Sequence, residues 1–335
     1  MNKIVYFILL YFFVSCGTSQ STQTADLGKI PIQPVKIQQQ VIKEVFHPQA
    51  MHLFGSWVIF TNSPKGDVPF YAYSRDDLNF QFCAGKFGRG NGEFFYCNPD
   101  YWESRDSSIL INTDNFYKTE ITFCSDSLKM IGQNRIGEKA MNNLLTVNDS
   151  IIIFSNENQI KEYSVYNTVN HQVIHSFSDF PTTKISYKET SDRDNIMQKQ
   201  CVINRDSQVM AAFYLRIPLI RFYDFNYHLI QEIRLKDISE KSISMTDFYN
   251  NEEDLYFLFP YATSDRIFVL FIHAPELQSY RQEYTEVQEW DWKGNLRRRY
   301  HIQEPIDLFC VSEDNKTFYG LKSGEDDYLI LKAAL

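Results

Sequence analysis

Glycine and proline are scarce, 13 and 11 among 335 residues, which excludes collagen-like and low-complexity repeats. The six cysteines form no CxxC pair and no Cys/His spacing, so zinc ribbons and thioredoxin-like redox centres are excluded. There is no HExxH, no GxSxG and no glycine loop ending in GK[S/T]; zincin, α/β-hydrolase and P-loop chemistry therefore lack support. Positive charge is in deficit, with 33 Lys and Arg against 42 Asp and Glu and a formal charge of -9. Binding a phosphate backbone needs a positive field that displaces counterions, so no nucleic-acid partner is expected. The basic run Arg297, Arg298, Arg299 follows the turn "DWKGN" in a strand-like segment and reads as a solvated edge. Helical periodicity hardly appears, and "DRDNIMQK" reads as a loop or excursion between strands.

What is abundant is aromatic and β-branched: 27 Phe, 21 Tyr and 4 Trp, set in short alternating segments such as "SWVIFTN", "SIIIFSN" and "RIFVLFI". Period-two alternation with polar boundaries is the mark of strands. Turns such as "RDDLN", "NTVNHQ" and "WKGNL" recur at roughly 45 to 70 residues, near or above the period of four-stranded propeller blades. Six units fit, with cores near Trp57, Ile109, Ile151, Val209, Leu255 and Leu308. The last unit lacks an outer strand, and "VKIQQQVIKEVF" is placed to supply it. The expected fold is all-β: a six-bladed β-propeller with four-stranded antiparallel blades, closed by an N-terminal strand.

The leader "MNKIVYFILLYFFVSCGTSQ" has an apolar core from Ile4 to Val14, too short for a permanent membrane helix and laid out as an export signal. Its "FVSCG" resembles the lipobox of bacterial lipoproteins. The resemblance implies cleavage after residue 15, diacylation of Cys16, and a membrane contact made through the lipid alone. Residues 16–40, polar and rich in Ser, Thr and Gln, read as a flexible tether, and 41–335 as the propeller domain. No acidic cluster follows Cys16, which favours periplasm-facing attachment to the outer membrane over surface exposure. Cys83, Cys97, Cys124, Cys201 and Cys310 remain; Cys83 and Cys97 flank a glycine loop and could bridge, or all five stay as free thiols.

That loop, "GKFGRGNGEFF", lacks the following helix whose amides would face a phosphate. Gly85, Gly88, Gly90 and Gly92 are expected to permit a crossing between blades, with Glu93 accepting loop amides and Phe94 buried. The segment resembles the G-x-G-x-G-P-G-E-F element of TolB-like or NHL-like six-bladed propellers, with Asn91 in the proline position. The resemblance implies architecture and export, and it brings no catalytic residues.

Chemistry-bearing sets are sparse. His171 and His175 are four apart but in an alternating strand, as a surface or turn pair. Asp114, Asn156, Glu157 and Asp265 sit near strand ends where some propellers hold calcium for hydrolysis; solvated turn residues are the competing reading. Tyr71, Tyr73, Trp102, Tyr261 and Tyr280 lie near loops with charged neighbours and are candidate contacts for a sugar or peptide. With no catalytic set, no cofactor is expected, and the chain reads as a binding or scaffold module for an envelope protein or glycan. A metal-dependent hydrolase or lyase with calcium at the channel mouth is the alternative.

Overall fold

The structure is a computed structural model. It describes residues 21–335 apart from short interruptions at 43, 45–46, 106, 115–116, 125–126, 138–140, 237, 239, 241, 243, 280–281 and 325–326. Cys16 and Tyr280 lie outside the described residues.

The described residues build six sheets, each running outward in chain order from an inner strand. Blade 1 spans residues 48–84, blade 2 97–135, blade 3 142–177, blade 4 199–235, blade 5 254–302 and blade 6 308–334. The inner strands touch in a cycle, and that of blade 6, Leu308–Val311, returns to that of blade 1, Pro48–Phe54. The ring is closed, as the sequence pattern predicts.

Strand periodicity explains how the ring fills. In Val209–Tyr214 of blade 4, Met210, Ala212 and Tyr214 pack into the cluster shared with blade 3, beside Ile153 and Tyr163. Ala211 and Phe213 point the other way, onto Tyr256, Phe257 and Trp290 of blade 5. Alternate side chains of a strand serve opposite faces of its sheet, so one strand glues two junctions. Each successive pair of blades shares one such apolar cluster.

Trp57, Ile109, Ile151 and Val209 open the second strands of blades 1 to 4, whereas Leu255 and Leu308 stand on inner strands. In blade 5 the two long strands Asp254–Ala262 and Arg266–Pro275 blur the unit boundary, which shifts the sequence reading by one strand.

The N-terminal segment departs further from expectation. From Ser21 onward the polar stretch read as a tether is laid along the outer rim. β1 (Ser21–Ala25) pairs in parallel with the outer strand of blade 4, Leu229–Leu235. β2 (Ile32–Pro34) pairs in parallel with that of blade 5, Leu296–Ile302. β3 (Ile37–Ile42) pairs antiparallel with Tyr328–Ala334 and completes blade 6, the closure that the sequence reading assigns to this stretch. Between β1 and β2, Leu27 is buried in the cluster joining blades 4 and 5. Composition marks a polar segment as a leash, but backbone pairing to an open sheet edge needs no apolar side chains.

The arginine run is not simply a solvated edge, because β2 covers its strand. Arg299 makes two bonds of 2.8 Å to Glu286 and donates to the carbonyls of Leu27 and Ile30. Arg297 pairs with Asp291 at 2.5 Å. The segment read as a loop is partly helical: α1 (Thr190–Ile196) lies in the crossing from blade 3 to blade 4. Two turns are too few to show periodicity; α1 is held by buried Ile196 and by the Arg193 guanidinium 3.8 Å from the Phe180 ring centroid. α2 (Met245–Tyr249) and α3 (Glu276–Ser279) are shorter still.

Candidate functional site: the channel and its two mouths

The chain order within each blade gives the ring two distinct faces. Crossings between blades and the loops joining second to third strands lie on one, the crossing face; the other two hairpin turns of each blade lie on the opposite, turn face. Inner strands line the axis, and those of blades 1, 2, 3 and 5 carry register shifts. Such bulges re-aim side chains toward a lumen. Phe259 and Asn143, both in the left-handed region at φ +51° and +48°, are products of these shifts.

On the turn face, a cavity of about 500 Å³ is bordered by Trp102, Glu103, Arg205 and Tyr261. Arg205 reaches from blade 4 to grip both Glu103 oxygens of blade 2, at 2.7 and 2.6 Å, and donates to the Thr146 carbonyl of blade 3 at 2.9 Å. One guanidinium thereby ties three blades. Burial pushes the Lys118 ammonium down to about 8, against the pull of Glu103.

A waist of about 120 Å³ follows, lined by Gln49, His52, Gln200, Phe259 and Tyr261. His52 stacks on Trp102 with ring centroids 4.3 Å apart and planes 4° from parallel. Burial pushes its imidazole down to about 3, so it is neutral at neutral pH. The Phe259 amide donates to Gln200 Oε1 at 2.6 Å across the junction of blades 4 and 5.

On the crossing face, a cavity of about 360 Å³ opens over blades 3 and 4, lined by Asn143, Asn156, Glu162, Phe180, Lys199 and Gln200. At its base sits a buried ion cluster. Glu162 is fully enclosed and meets Lys199 Nζ at 3.1 Å and Arg221 Nη1 at 3.2 Å. Tyr214 and Tyr223 donate their hydroxyls to it. Lys199 Nζ also lies 4.8 Å from the Tyr163 ring centroid and 5.8 Å from that of Phe180. Burial alone would raise the Glu162 carboxyl, but Lys199, Arg221 and the Tyr214 hydroxyl outweigh it and hold the group below its ordinary 4.5. A carboxylate so enclosed keeps its charge only because both cations and the hydroxyls are in place.

The four residues weighed as metal ligands do not converge. Asp114, at φ +54°, accepts from the Tyr96 amide at 2.9 Å and donates its own amide to the Tyr96 carbonyl, locking the entry to blade 2. Asn156 and exposed Glu157 follow a strand of blade 3 on the crossing face, while exposed Asp265 sits in a turn of blade 5 on the turn face. Opposite ends of the channel cannot share one ion. Among the described residues no three His, Cys, Asp or Glu side chains are grouped to hold a metal.

Of the aromatic candidates, Tyr71 and Tyr73 are buried between blades 6 and 1, Tyr73 donating to Glu44 at 3.1 Å. Trp102 and Tyr261 border the channel. His171 and His175 stay separate: His171 holds a turn at φ +56° with Nδ1 3.4 Å from the Tyr166 hydroxyl, and His175 packs 5.3 Å from the Tyr227 ring. The cysteines among the described residues are free, Cys83 exposed and Cys97 buried with its thiol pushed up by burial.

The glycine loop carries blade 1 into blade 2. Gly85 and Gly92 adopt φ +85° and +79°, which glycine alone enters without strain. Glu93 accepts from the Gly90 amide at 2.8 Å and pairs with Lys86 at 2.6 Å, while Phe94 is buried edge-on to Phe70. A Cβ on Gly88 would lie 2.0 Å from Glu93 Oε2, so the Glu93 carboxylate could keep its place only beside a bare Cα.

Glu162, Lys199, Phe180, His52 and Phe259 are the residues that sequence reading missed. Each sits in an ordinary strand or loop, and their partners are scattered from residue 52 to residue 261; only the packing of blades around the ring assembles them.

Comparisons agree with this architecture. A protein from Bacteroides fragilis described as exported superposes with TM-score 0.56 at 10% identity, over 94% of this chain and 99% of that one. A member of the DUF4221 family from Bacteroides vulgatus gives 0.57 at 9% identity, over 90% and 98%. Raptor from Chaetomium thermophilum gives 0.50 at 9% identity, but the match spans only 29% of that longer chain. These likenesses are of fold alone. No curated protein matches. The profile of the TolB-like six-bladed propellers matches residues 32–314, nearly the whole ring, and the chain belongs to that family.

Proposed function

We propose that this chain is a lipid-anchored, extracytoplasmic binding module whose crossing-face cavity takes a glycan of the cell envelope. The observation that carries the reading is the cavity lining: the side-chain amides of Asn143, Asn156 and Gln200 beside the Phe180 ring, over a base fixed by the Glu162 cluster. Amides match the donors and acceptors of sugar hydroxyls, and a ring face covers the apolar side of a pyranose. The lipobox-like leader and membership of the propeller family support export and anchoring, with the periplasmic side of the outer membrane as the favoured place.

The test is thermal shift and calorimetry of the folded protein with soluble cell-wall fragments and envelope oligosaccharides, repeated with Phe180→Ala. Binding to the native state raises the melting temperature by mass action. A sugar that stabilises the parent and not the variant supports the reading. Binding of an envelope protein unaffected by Phe180→Ala, with no response to any glycan, overturns it.

A further inference from the structure

The described chain joins the ring at a defined rim. β1 begins at Ser21, whose Oγ donates to the Ile230 carbonyl and whose Cα partner is Gln231, just past the turn between the third and fourth strands of blade 4. The chain therefore enters at the outer rim, at the turn-face end of blade 4. Only four residues lie between Cys16 and Ser21, five Cα-to-Cα steps in all. However they are arranged, trans peptide geometry caps their reach at about 18 Å. The remainder of the expected leash is fixed on blades 4, 5 and 6 and gives no slack.

Next to that entry lies a bare apolar edge. Among the described residues, the outer strand of blade 3, Gln172–Phe177, pairs on one side only, and the five residues before Phe177 are exposed. Val173 and Ile174 are 53% and 50% exposed, and Val169 in the adjoining turn is 75% exposed. The strand carries no Lys, Arg, Asp, Glu or Pro, the usual protections of an open edge. It is also next to the anchor: His175 packs on Tyr227, in the turn that leads to Ile230 and Ser21. Packed sheets lie about 10 Å apart, less than the leash can span. The bare edge of blade 2 instead includes Lys129 and Arg135. That of blade 1, which holds exposed Cys83, is diametrically opposite blade 4 in the six-membered ring.

We infer that the turn-face rim of blades 3 and 4 rests on the lipid surface, with Val169, Val173 and Ile174 dipping into the interface beside the acyl anchor. The inference rests on lipidation of Cys16 as proposed above. An anchored protein already near the bilayer needs little added apolar area to stay seated, and the seating turns the crossing-face cavity away from the membrane, open to soluble ligand.

The experiment uses full-length lipidated protein in phosphatidylethanolamine and phosphatidylglycerol vesicles, with an environment-sensitive fluorophore on one thiol and nitroxide lipids as quencher. In one variant, Cys124→Ser, the label sits on native Cys83; in the other, Cys83→Ser and Cys124→Ser with Val173→Cys, it sits on the rim. Severalfold stronger quenching and a blue-shifted emission at position 173 are expected. Equal quenching at both positions, with the protein floating with the vesicles and its acyl mass confirmed, overturns the rim while leaving the anchor intact. Absence of the acyl adduct by mass spectrometry removes anchor and rim together. Shielding at 173 without quenching, with a doubled mass in detergent, assigns the edge to a second copy and also overturns the inference.

Discussion

Blades 4, 5 and 6 and blades 1, 2 and 3 close the same ring in different ways. The first three have their outer edges extended by β1, β2 and β3, with Leu27 driven between blades 4 and 5. Among the described residues, the other three end on strands with no further partner. The junctions differ less: among the described residues, the joint of blades 4 and 5 holds fourteen buried apolar side chains and that of blades 2 and 3 eight, but the joints of blades 5 and 6 and of blades 1 and 2 hold eleven each. One segment clasps the outer edges of the covered half, whereas a glycine loop carries blade 1 into blade 2 and Arg205 ties blade 4 across to blades 2 and 3. The lesson is that one polar N-terminal segment can divide a pseudo-symmetric ring into a protected half and an available half.

The largest effect should come from opening the clasp. Deleting residues 21–42 removes the added edge strands β1 and β2 together with β3, the fourth strand of blade 6, and we expect loss of cooperative unfolding, read by calorimetry. Deleting only 21–34 keeps β3 and should leave a cooperative but less stable ring; equal behaviour of the two truncations would break the distinction between closing and covering.

Next is Glu162→Gln at the joint between the halves. It leaves Lys199 and Arg221 buried without their shared carboxylate, at a cost of about 3 kcal/mol or more, measured by denaturant unfolding. The pH dependence has a fixed sign. Because the folded carboxyl is held below 4.5, its contribution is complete above the unfolded value and is lost as pH falls through the folded one. Below pH 4.5 the parent should therefore converge toward the variant. His52 adds an earlier acid limb: its folded value near 3 against an ordinary 6.5 means the unfolded state gains a proton first, so stability falls below pH 6.5. That limb should flatten in His52→Gln.

A smaller effect belongs to the bare half. Gly88→Ala forces Glu93 from its loop amides, whereas Gly90→Ala places a Cβ 3.0 Å from the same carboxyl. The first should lower the melting temperature by several degrees and the second by less, in thermal scans. Smallest is Val173→Thr, exposed on the open edge of blade 3: in the protein free of membrane it should change stability by no more than about 0.5 kcal/mol. A larger loss would mean that this edge is packed in solution.

Much of the ring was readable in the chain. Alternation in "SIIIFSN" or "RIFVLFI" gives strands, their number gives six blades, and "VKIQQQVIKEVF" supplies the missing outer strand because a closed ring requires one. The glycine loop was readable as well, since a carboxylate three residues after Gly90 and a phenylalanine beside it meet local needs of turn and burial. The site was not. Trp102 and Tyr261 border the channel, but Tyr71 and Tyr73, equally close in sequence to charged loops, vanish into a blade joint. Sequence neighbours do not reveal which face of a strand looks down the axis once bulges shift the register.

By itself the sequence determined the strand period, the unit count, the closing strand and the loop between blades 1 and 2, all consequences of interactions within a few residues or of a two-residue repeat. The tertiary structure alone decided that residues 21–34 bind the rim instead of trailing from it, because edge pairing uses backbone groups that every residue owns. It alone decided, too, that Glu162, Lys199 and Arg221 meet, because such a contact depends on how two twisted sheets stack and leaves no mark on the order of residues.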